Sequence, residues 1–267
     1  MDHPYYPLGV SIPNYRPNDL PLSRSLPVFG ALIGAVVVSA YLLAGSGSGS
    51  PRRVRSIDRF AASWFALCGF LHIAFEGYYI LHRAGISGKG TLFAQLWKEY
   101  ALSDSRYLTS DIFTICVETI TVVRFILPPS PENSSRNASN ALIQFAWGPL
   151  SLIAVLCICT NHPSRHLFQI VVCVAHLYGV ALYYATNWAE QRLHGVSYSR
   201  PEFLYFWIYY VGFNAPWAIV PFCEWPAPGG EASKSDPPVI VLLADSYRRI
   251  ATAFRALHEK ESQQKNE

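Results

Sequence analysis

Long apolar runs separated by short polar segments dominate the pattern of this chain. The runs cover residues 26–45, 60–81, 111–127 with 142–160, 166–188 and 203–223. A helix needs about 20 apolar residues to cross the hydrocarbon core of a bilayer, and lipid offers no partner for backbone polar groups. The pattern therefore predicts an all-α, polytopic membrane helix bundle with five transmembrane helices, the third interrupted by an insertion.

The polar positions divide the chain into three parts. A polar, proline-rich segment covers residues 1–25, the predicted bundle covers 26–223, and a linker with an amphipathic tail covers 224–267. Apolar residues recur at helical spacing over 239–257, which fits a helix on a membrane surface and equally a solvated tail helix. The last ten residues, 258–267, are predicted to be disordered.

Charge predicts the orientation of the first span. Four arginines lie in the loop at 46–59, so the positive-inside rule predicts that this loop is cytoplasmic and that the N-terminus is luminal. The first 25 residues lack a basic region that leads into a short apolar core, so they do not resemble a secretory signal.

Composition supports the membrane interpretation. Hydrophobic residues make up 51% of the chain and charged residues 15%, against about 25% charged in soluble domains. The net charge of +3 predicts no nucleic-acid partner. All six cysteines lie in the apolar runs, so we interpret them as small hydrophobic residues rather than disulfide or metal ligands.

Ionisable residues inside the apolar runs are the candidates for chemistry. An ionised side chain at the bilayer centre costs roughly 2.5–3.5 kcal/mol, so it needs a reason to be there. His72 and Glu76 are spaced i, i+4 and lie on one helix face. They predict an intramembrane proton donor, and a purely structural hydrogen-bonded pair is the alternative.

Four further positions extend this set. Glu118 in the third run can accept a proton or stabilise a cation, with a packing hydrogen bond as the alternative. Asn214 and Trp217 are spaced i, i+3, and an indole face near a cavity can stabilise a cation, whereas an aromatic of the interfacial belt is the alternative. His176 stands alone on an apolar face and is explained more simply as a core residue.

The segment at 95–107 is dense in charge between two runs. It is predicted to cap the mouth of the bundle and to contact the polar end of a ligand. An ordinary solvated loop is the alternative.

Six short segments resemble the emopamil-binding protein family, the sterol Δ8–Δ7 isomerases of the endoplasmic reticulum. They are CGFLHIAFEGYY, QLWKEY, DSRY, FTICVETIT, WGPLSL and YFWIYYVGFNAPW, and they extend over about residues 55–225. The order H-x3-E, ETIT, N-x-x-W is the specific part of the resemblance.

The resemblance implies a cholestenol Δ-isomerase that moves a ring double bond from C8=C9 to C7=C8 without a cofactor or metal. A proton is added at C9, a carbocation forms at C8, and a proton leaves C7. It implies that His72 and Glu76 deliver the proton, and that Glu118 stabilises the cation or removes the proton. A preorganised negative charge in a site that excludes water suits such a cation.

The resemblance also implies the binding partners and the location of the protein. A sterol enters from the bilayer, amphiphilic amines imitate the cation, and the protein is a multi-pass protein of the endoplasmic reticulum membrane; a homodimer stays open. The alternatives are a non-catalytic sterol- or amine-binding relative and a proton-coupled transporter, which the small number of spans disfavours. The implied substrate-binding residues are Thr121, Asn214, Trp217, Tyr100, Arg106 and Tyr107.

The chain departs from the family at three places. Val180 replaces an acidic residue after Tyr-Gly, and the C-terminal QQKNE lacks the lysine-rich retrieval signal. The 22 residues at 123–144 separate ETIT from WGPLSL, and their removal restores the family spacing. We interpret them as an insertion and hypothesise a translated, unspliced intron, with a genuine loop as the alternative.

Overall fold

The structure, a computed structural model, describes residues 3–46, 55–121, 147–222 and 241–264, and all regular elements within these residues are helices. This agrees with the predicted all-α class. The α-helices are α1 Leu22–Gly45, α2 Ser56–Phe70, α3 Gly77–His82, α4 Leu92–Tyr100, α5 Arg106–Thr109, α6 Ile112–Thr121, α7 Trp147–Cys159, α8 Arg165–His194, α9 Phe213–Ile219 and α10 Val241–Gln264.

Three of the described helical stretches are long and apolar enough to cross a membrane: Leu22–Gly45, Ser56–Gly88 and Arg165–His194. Trp147–Cys159 is a shorter apolar helix. The third predicted run is represented by α6 and α7, and the insertion at 123–144 between them lies outside the described residues. A total of five transmembrane helices therefore stays a prediction.

Two π-helical segments interrupt the regular helices. The first π-helix, Leu71–Glu76, joins α2 to α3, and the second, Leu204–Gly212, leads into α9. A π turn is wider than an α turn and is frequent at functional sites, because it changes the direction of the side chains that follow. The first contains the His72–Glu76 pair, and the second directly precedes the turn that carries Asn214.

Glycines allow α2 and α7 to pack closely. A Cβ atom at Gly69 would lie 2.7 Å from Leu152 Cδ2. A Cβ atom at Gly148 would lie 2.7 Å from Ile73 Cγ1 and 3.3 Å from His72 Cβ. Small residues permit such an approach between membrane helices. The backbone of α7 therefore supports the first π-helix at the position of His72.

The N-terminal segment packs on α4 instead of extending away from it. The Tyr5 hydroxyl donates to the Lys98 carbonyl at 3.1 Å, and Lys98 Nζ donates to the Arg16 carbonyl at 2.8 Å. Asn18 Nδ2 donates to the Gln95 carbonyl at 2.9 Å. The predicted boundary at residue 25 lies inside α1, because the helix already begins at Leu22.

The amphipathic tail forms α10, which packs against α8. Asp245 accepts hydrogen bonds from Arg55 at 3.0 Å and from Arg249 at 3.1 Å, and Ser246 Oγ donates to Gln169 Oε1 at 2.8 Å. The predicted disorder is wrong for residues 258–264, which continue α10. An orientation of this helix along a membrane surface stays a prediction.

Candidate active site

A cavity of about 290 Å³ lies between the helices within the described part of the chain. It is bounded by the first π-helix and by α5, α6, α7, α8 and α9. Ionisable and aromatic side chains alternate with apolar ones along its wall. The residues that line it are His72, Glu76, Tyr107, Val117, Glu118, Trp147, Ala175, His176, Tyr178, Gly179, Val180, Leu182, Tyr183, Asn214 and Trp217.

The predicted His72–Glu76 pair is formed. His72 Nδ1 lies 2.7 Å from Glu76 Oε2, and the imidazole is buried. A carboxylate at this distance accepts the Nδ1 proton and fixes the orientation of the ring. The other ring nitrogen, Nε2, lies 3.1 Å from Nε2 of His176, which comes from α8. Both nitrogens of His72 are therefore hydrogen bonded.

Glu118 projects from α6 into the same cavity and is buried. The Tyr107 hydroxyl donates to Glu118 Oε1 at 2.7 Å. Burial raises the pKa of Tyr107 well above its ordinary value, so the phenol stays protonated and remains a donor. A hydrogen bond of this kind stabilises a carboxylate and fixes its direction.

Asn214 connects α9 to the end of α4 through hydrogen bonds. Its Nδ2 donates to the Tyr100 hydroxyl at 3.0 Å and to the Tyr210 carbonyl at 2.8 Å. The Tyr100 hydroxyl also lies 3.4 Å from the Tyr183 hydroxyl. Asn214 and Tyr183 line the cavity, and Tyr100 lies behind them within the described residues. Burial raises the pKa of Tyr100, which keeps this network uncharged.

Trp217 lines the cavity, and its role toward a cation stays a prediction. Its ring packs against Trp64 of α2 with 5.7 Å between the ring centroids. A rigid indole of this kind can present its negative π face to a cation.

Arg106 takes a supporting position. It is buried and forms a bidentate pair with Asp104, with 2.6 Å from Nη2 to Oδ2 and 2.9 Å from Nε to Oδ1. Its guanidinium lies 5.3 Å from the ring centroid of Tyr183. Within the described residues it is absent from the cavity wall, so it fixes the loop beside Tyr107. Its predicted contact with substrate stays a prediction.

The structure therefore brings together six of the nine predicted site residues in one cavity wall: His72, Glu76, Glu118, Asn214, Trp217 and Tyr107. The backbone of Thr121 is helical, and its side chain lies outside the described residues. Sequence reasoning missed Tyr183 and set His176 aside. The polar character of His176 inside an apolar run was the signal that could have identified it.

The chain is similar in sequence to proteins of one known family. Residues 140–224 match the family model EXPERA (EXPanded EBP superfamily). The chain is 36% identical over 219 residues to the 3-beta-hydroxysteroid-Delta(8),Delta(7)-isomerase of Cavia porcellus, which covers 82% of this chain and 84% of that protein. The Mus musculus protein of the same name is 35% identical with the same coverage. A probable isomerase of this name from Oryza sativa subsp. japonica is 30% identical, covering 82% of this chain and 87% of that protein.

Proposed function

This chain belongs to the emopamil-binding protein family of the EXPERA superfamily, and we propose that it isomerises Δ8 sterols to Δ7 sterols. The names of its relatives support this reaction class. The observation that carries the proposal is one cavity that contains both the His72–Glu76 pair and Glu118, which come from different helices. An isomerase of this kind needs one group that gives a proton and one that takes a proton, both close to the same ring.

The His72–Glu76 pair is the acid in this mechanism. Glu76 accepts a hydrogen bond from the Nδ1–H group of His72 at 2.7 Å, so an added proton resides on Nε2. The carboxylate compensates the positive charge of the imidazolium inside an apolar cavity. Transfer of this proton to C9 uses the π electrons of the C8=C9 bond and leaves a carbocation at C8.

Glu118 is the group that stabilises this cation and then removes the proton at C7. The hydrogen bond from Tyr107 holds the carboxylate in one direction, so it does not need to reorganise as the cation forms. The electrons of the C7–H bond become the C7=C8 double bond. Trp217 adds a π face to the same wall.

The apolar surroundings of these groups have two consequences. A sterol can enter from the bilayer, and water that would trap the cation as an alcohol is excluded. An amphiphilic amine imitates the cation in its protonated, ammonium form and is expected to compete with the sterol. A location in the endoplasmic reticulum membrane, which the family resemblance implies, is part of the proposal.

The proposal is tested by expression of the chain in yeast that lacks its own sterol Δ8–Δ7 isomerase. The ratio of Δ8 to Δ7 sterols is measured by mass spectrometry in the chain and in its Glu118→Gln variant. We expect conversion by the chain and a loss of at least about 100-fold in the variant, because a neutral amide cannot accept the C7 proton.

Glu190→Gln is the matched control. Glu190 forms an i, i+4 pair with His194 at 3.0 Å, like Glu76 with His72, but on the exposed surface of α8. It should convert sterol as the unaltered chain does. A chain that reaches the membrane and binds an amphiphilic amine without any conversion would contradict the proposal and favour a non-catalytic binding protein.

A further inference from the structure

His176 contacts the proposed acid from a second helix. Its Nε2 lies 3.1 Å from Nε2 of His72, and the ring centroids are 5.3 Å apart. Both imidazoles are buried, with 5% of His72 and 4% of His176 exposed. The proposed mechanism uses His72 and Glu76 and leaves the second imidazole without a role.

The hydrogen bond between the two rings limits the charge that they can hold. It needs one N–H group and one lone pair, so the two Nε2 atoms cannot both carry a proton at 3.1 Å. Nδ1 of His72 keeps its proton and donates a hydrogen bond to the carboxylate of Glu76. The pair therefore holds at most one positive charge, which the carboxylate of Glu76 balances.

We propose that His176 is a positioning residue that accepts a hydrogen bond from protonated His72 and stabilises that imidazolium in the apolar cavity. This inference rests on the proposed isomerase function. In the reaction, this Nε2 proton leaves its hydrogen bond to His176, and its bond to Nε2 of His72 breaks as the C9–H bond forms from the π electrons of the sterol. His72 is then neutral, and its Nδ1–H group still donates a hydrogen bond to Glu76. The C7 proton passes to Glu118.

Other titratable groups around His72 remain in place when His176 is changed. They come from its own helix, from α8, from α6 and from α5. Those that line the cavity are Glu76, Tyr178, Tyr183, Glu118 and Tyr107. The pH dependence of kcat/KM can therefore be compared between variants with and without a hydrogen-bond acceptor at position 176. A change seen only without the acceptor is due to its loss.

The test compares His176→Leu with His176→Gln in yeast microsomes. The leucine cannot accept a hydrogen bond, whereas the amide oxygen of glutamine can. The readout is the pH profile of kcat/KM for a Δ8 sterol, whose alkaline limb reports loss of the protonated acid. Binding of an amphiphilic amine serves as the check that each variant is folded.

A hydrogen bond to a charged group changes the titration of that group by about one pH unit. We therefore expect the alkaline limb of His176→Leu to move about one unit toward lower pH, with roughly tenfold lower kcat/KM above the midpoint. The glutamine variant should keep the profile of the unaltered chain. His176→Ala replaces the leucine variant if that variant does not bind the amine.

Two outcomes overturn the inference while the isomerase proposal stands. One is an unaltered alkaline limb in a folded apolar variant, and the other is an equal shift in His176→Gln. A chain that converts no sterol before any substitution contradicts the proposed function itself, so the two failures are distinguishable.

Discussion

At the scale of single residues, the site depends on hydrogen bonds that orient its charged groups. Tyr107 and Glu118 illustrate this, since the phenol comes from the four-residue helix α5 and the carboxylate from α6. The hydrogen bond between them therefore joins two elements of the fold. The carboxylate acts in the proposed mechanism only if its direction is fixed before the cation forms.

Removal of the Tyr107 hydroxyl should therefore lower the rate. In Tyr107→Phe the hydrogen bond of 2.7 Å to Glu118 is lost, and we expect kcat to fall by roughly tenfold to 100-fold. The measurement is sterol conversion in microsomes at equal amounts of protein. Tyr184→Phe is the control, because its hydroxyl donates to the Val211 carbonyl at 2.9 Å outside the cavity wall. Equal losses in both variants would contradict this prediction.

At the scale of helices, close packing of α7 on the first π-helix determines where His72 lies. Gly148 has no side chain at the point where a Cβ atom would approach Ile73 and His72. A methyl group must displace the Ile73 side chain or the π-helix that carries Ile73 and His72, and a misplacement of about 1 Å can reduce a catalytic rate roughly 100-fold.

Gly148→Ala should therefore reduce sterol conversion by at least about tenfold, although alanine is the better helix former by about 0.5–1 kcal/mol. Gly34→Ala in α1 is the matched control, because nothing lies within 4 Å of its Cβ position. Conversion assays on both variants in the same yeast decide the matter. Full activity of Gly148→Ala would mean that this contact does not position the acid.

Attachment of α10 should depend on pH. Burial by itself would raise the pKa of Asp245, but hydrogen bonds and charge from Arg55 and Arg249 outweigh it and hold the pKa below its ordinary value. A lowered pKa in the folded state stabilises the attachment above about pH 4 and loses this effect as the pH falls through the lowered value.

A spin label on the cysteine of His258→Cys, in a variant whose native cysteines are replaced, measures this attachment. We expect low mobility at pH 7 and a mobility that rises as the pH falls below about 4. Asp245→Asn should be mobile throughout this pH range, because the neutral amide loses the ion pairs. Asp19→Asn, which removes an exposed pair with Arg16, should behave as the parent chain does. Low mobility of the Asp245→Asn variant at pH 7 would contradict the prediction.

At the scale of the whole molecule, the insertion at 123–144 separates two elements that belong to one wall. Glu118 precedes it in α6, and Trp147 follows it at the start of α7, yet both line the cavity. The family model begins to match at residue 140, within the last part of the insertion. The wall therefore forms from residues on both sides of the segment 123–144.

A chain without residues 123–144 should convert Δ8 sterol at least as fast as the full chain in the yeast assay. The reason is that the shortened third run has the continuous apolar length of a single span. Sequencing of the mature transcript is a second, independent check of the intron hypothesis. Activity confined to the full chain would instead make the insertion a required part of the protein.

Much of this protein is already specified by local sequence. Run length and apolar character predict helices, because lipid leaves backbone groups no other partner. The spacings in H-x3-E and N-x-x-W place side chains on one face, because neighbours at i+3 and i+4 are adjacent on a helix. These signals require no knowledge of how the helices pack.

Packing decided what local sequence could not. The sequence predicted disorder beyond 257, but α10 continues to Gln264 in the structure. Arg106 turned out to pair with Asp104 behind the cavity wall. The contact between His72 and His176 joins positions that are 104 residues apart, in helices that are apolar on nearly every face. The sequence of such a helix does not indicate which face lines the cavity. Only the tertiary structure therefore shows that the imidazole of His176 contacts that of His72.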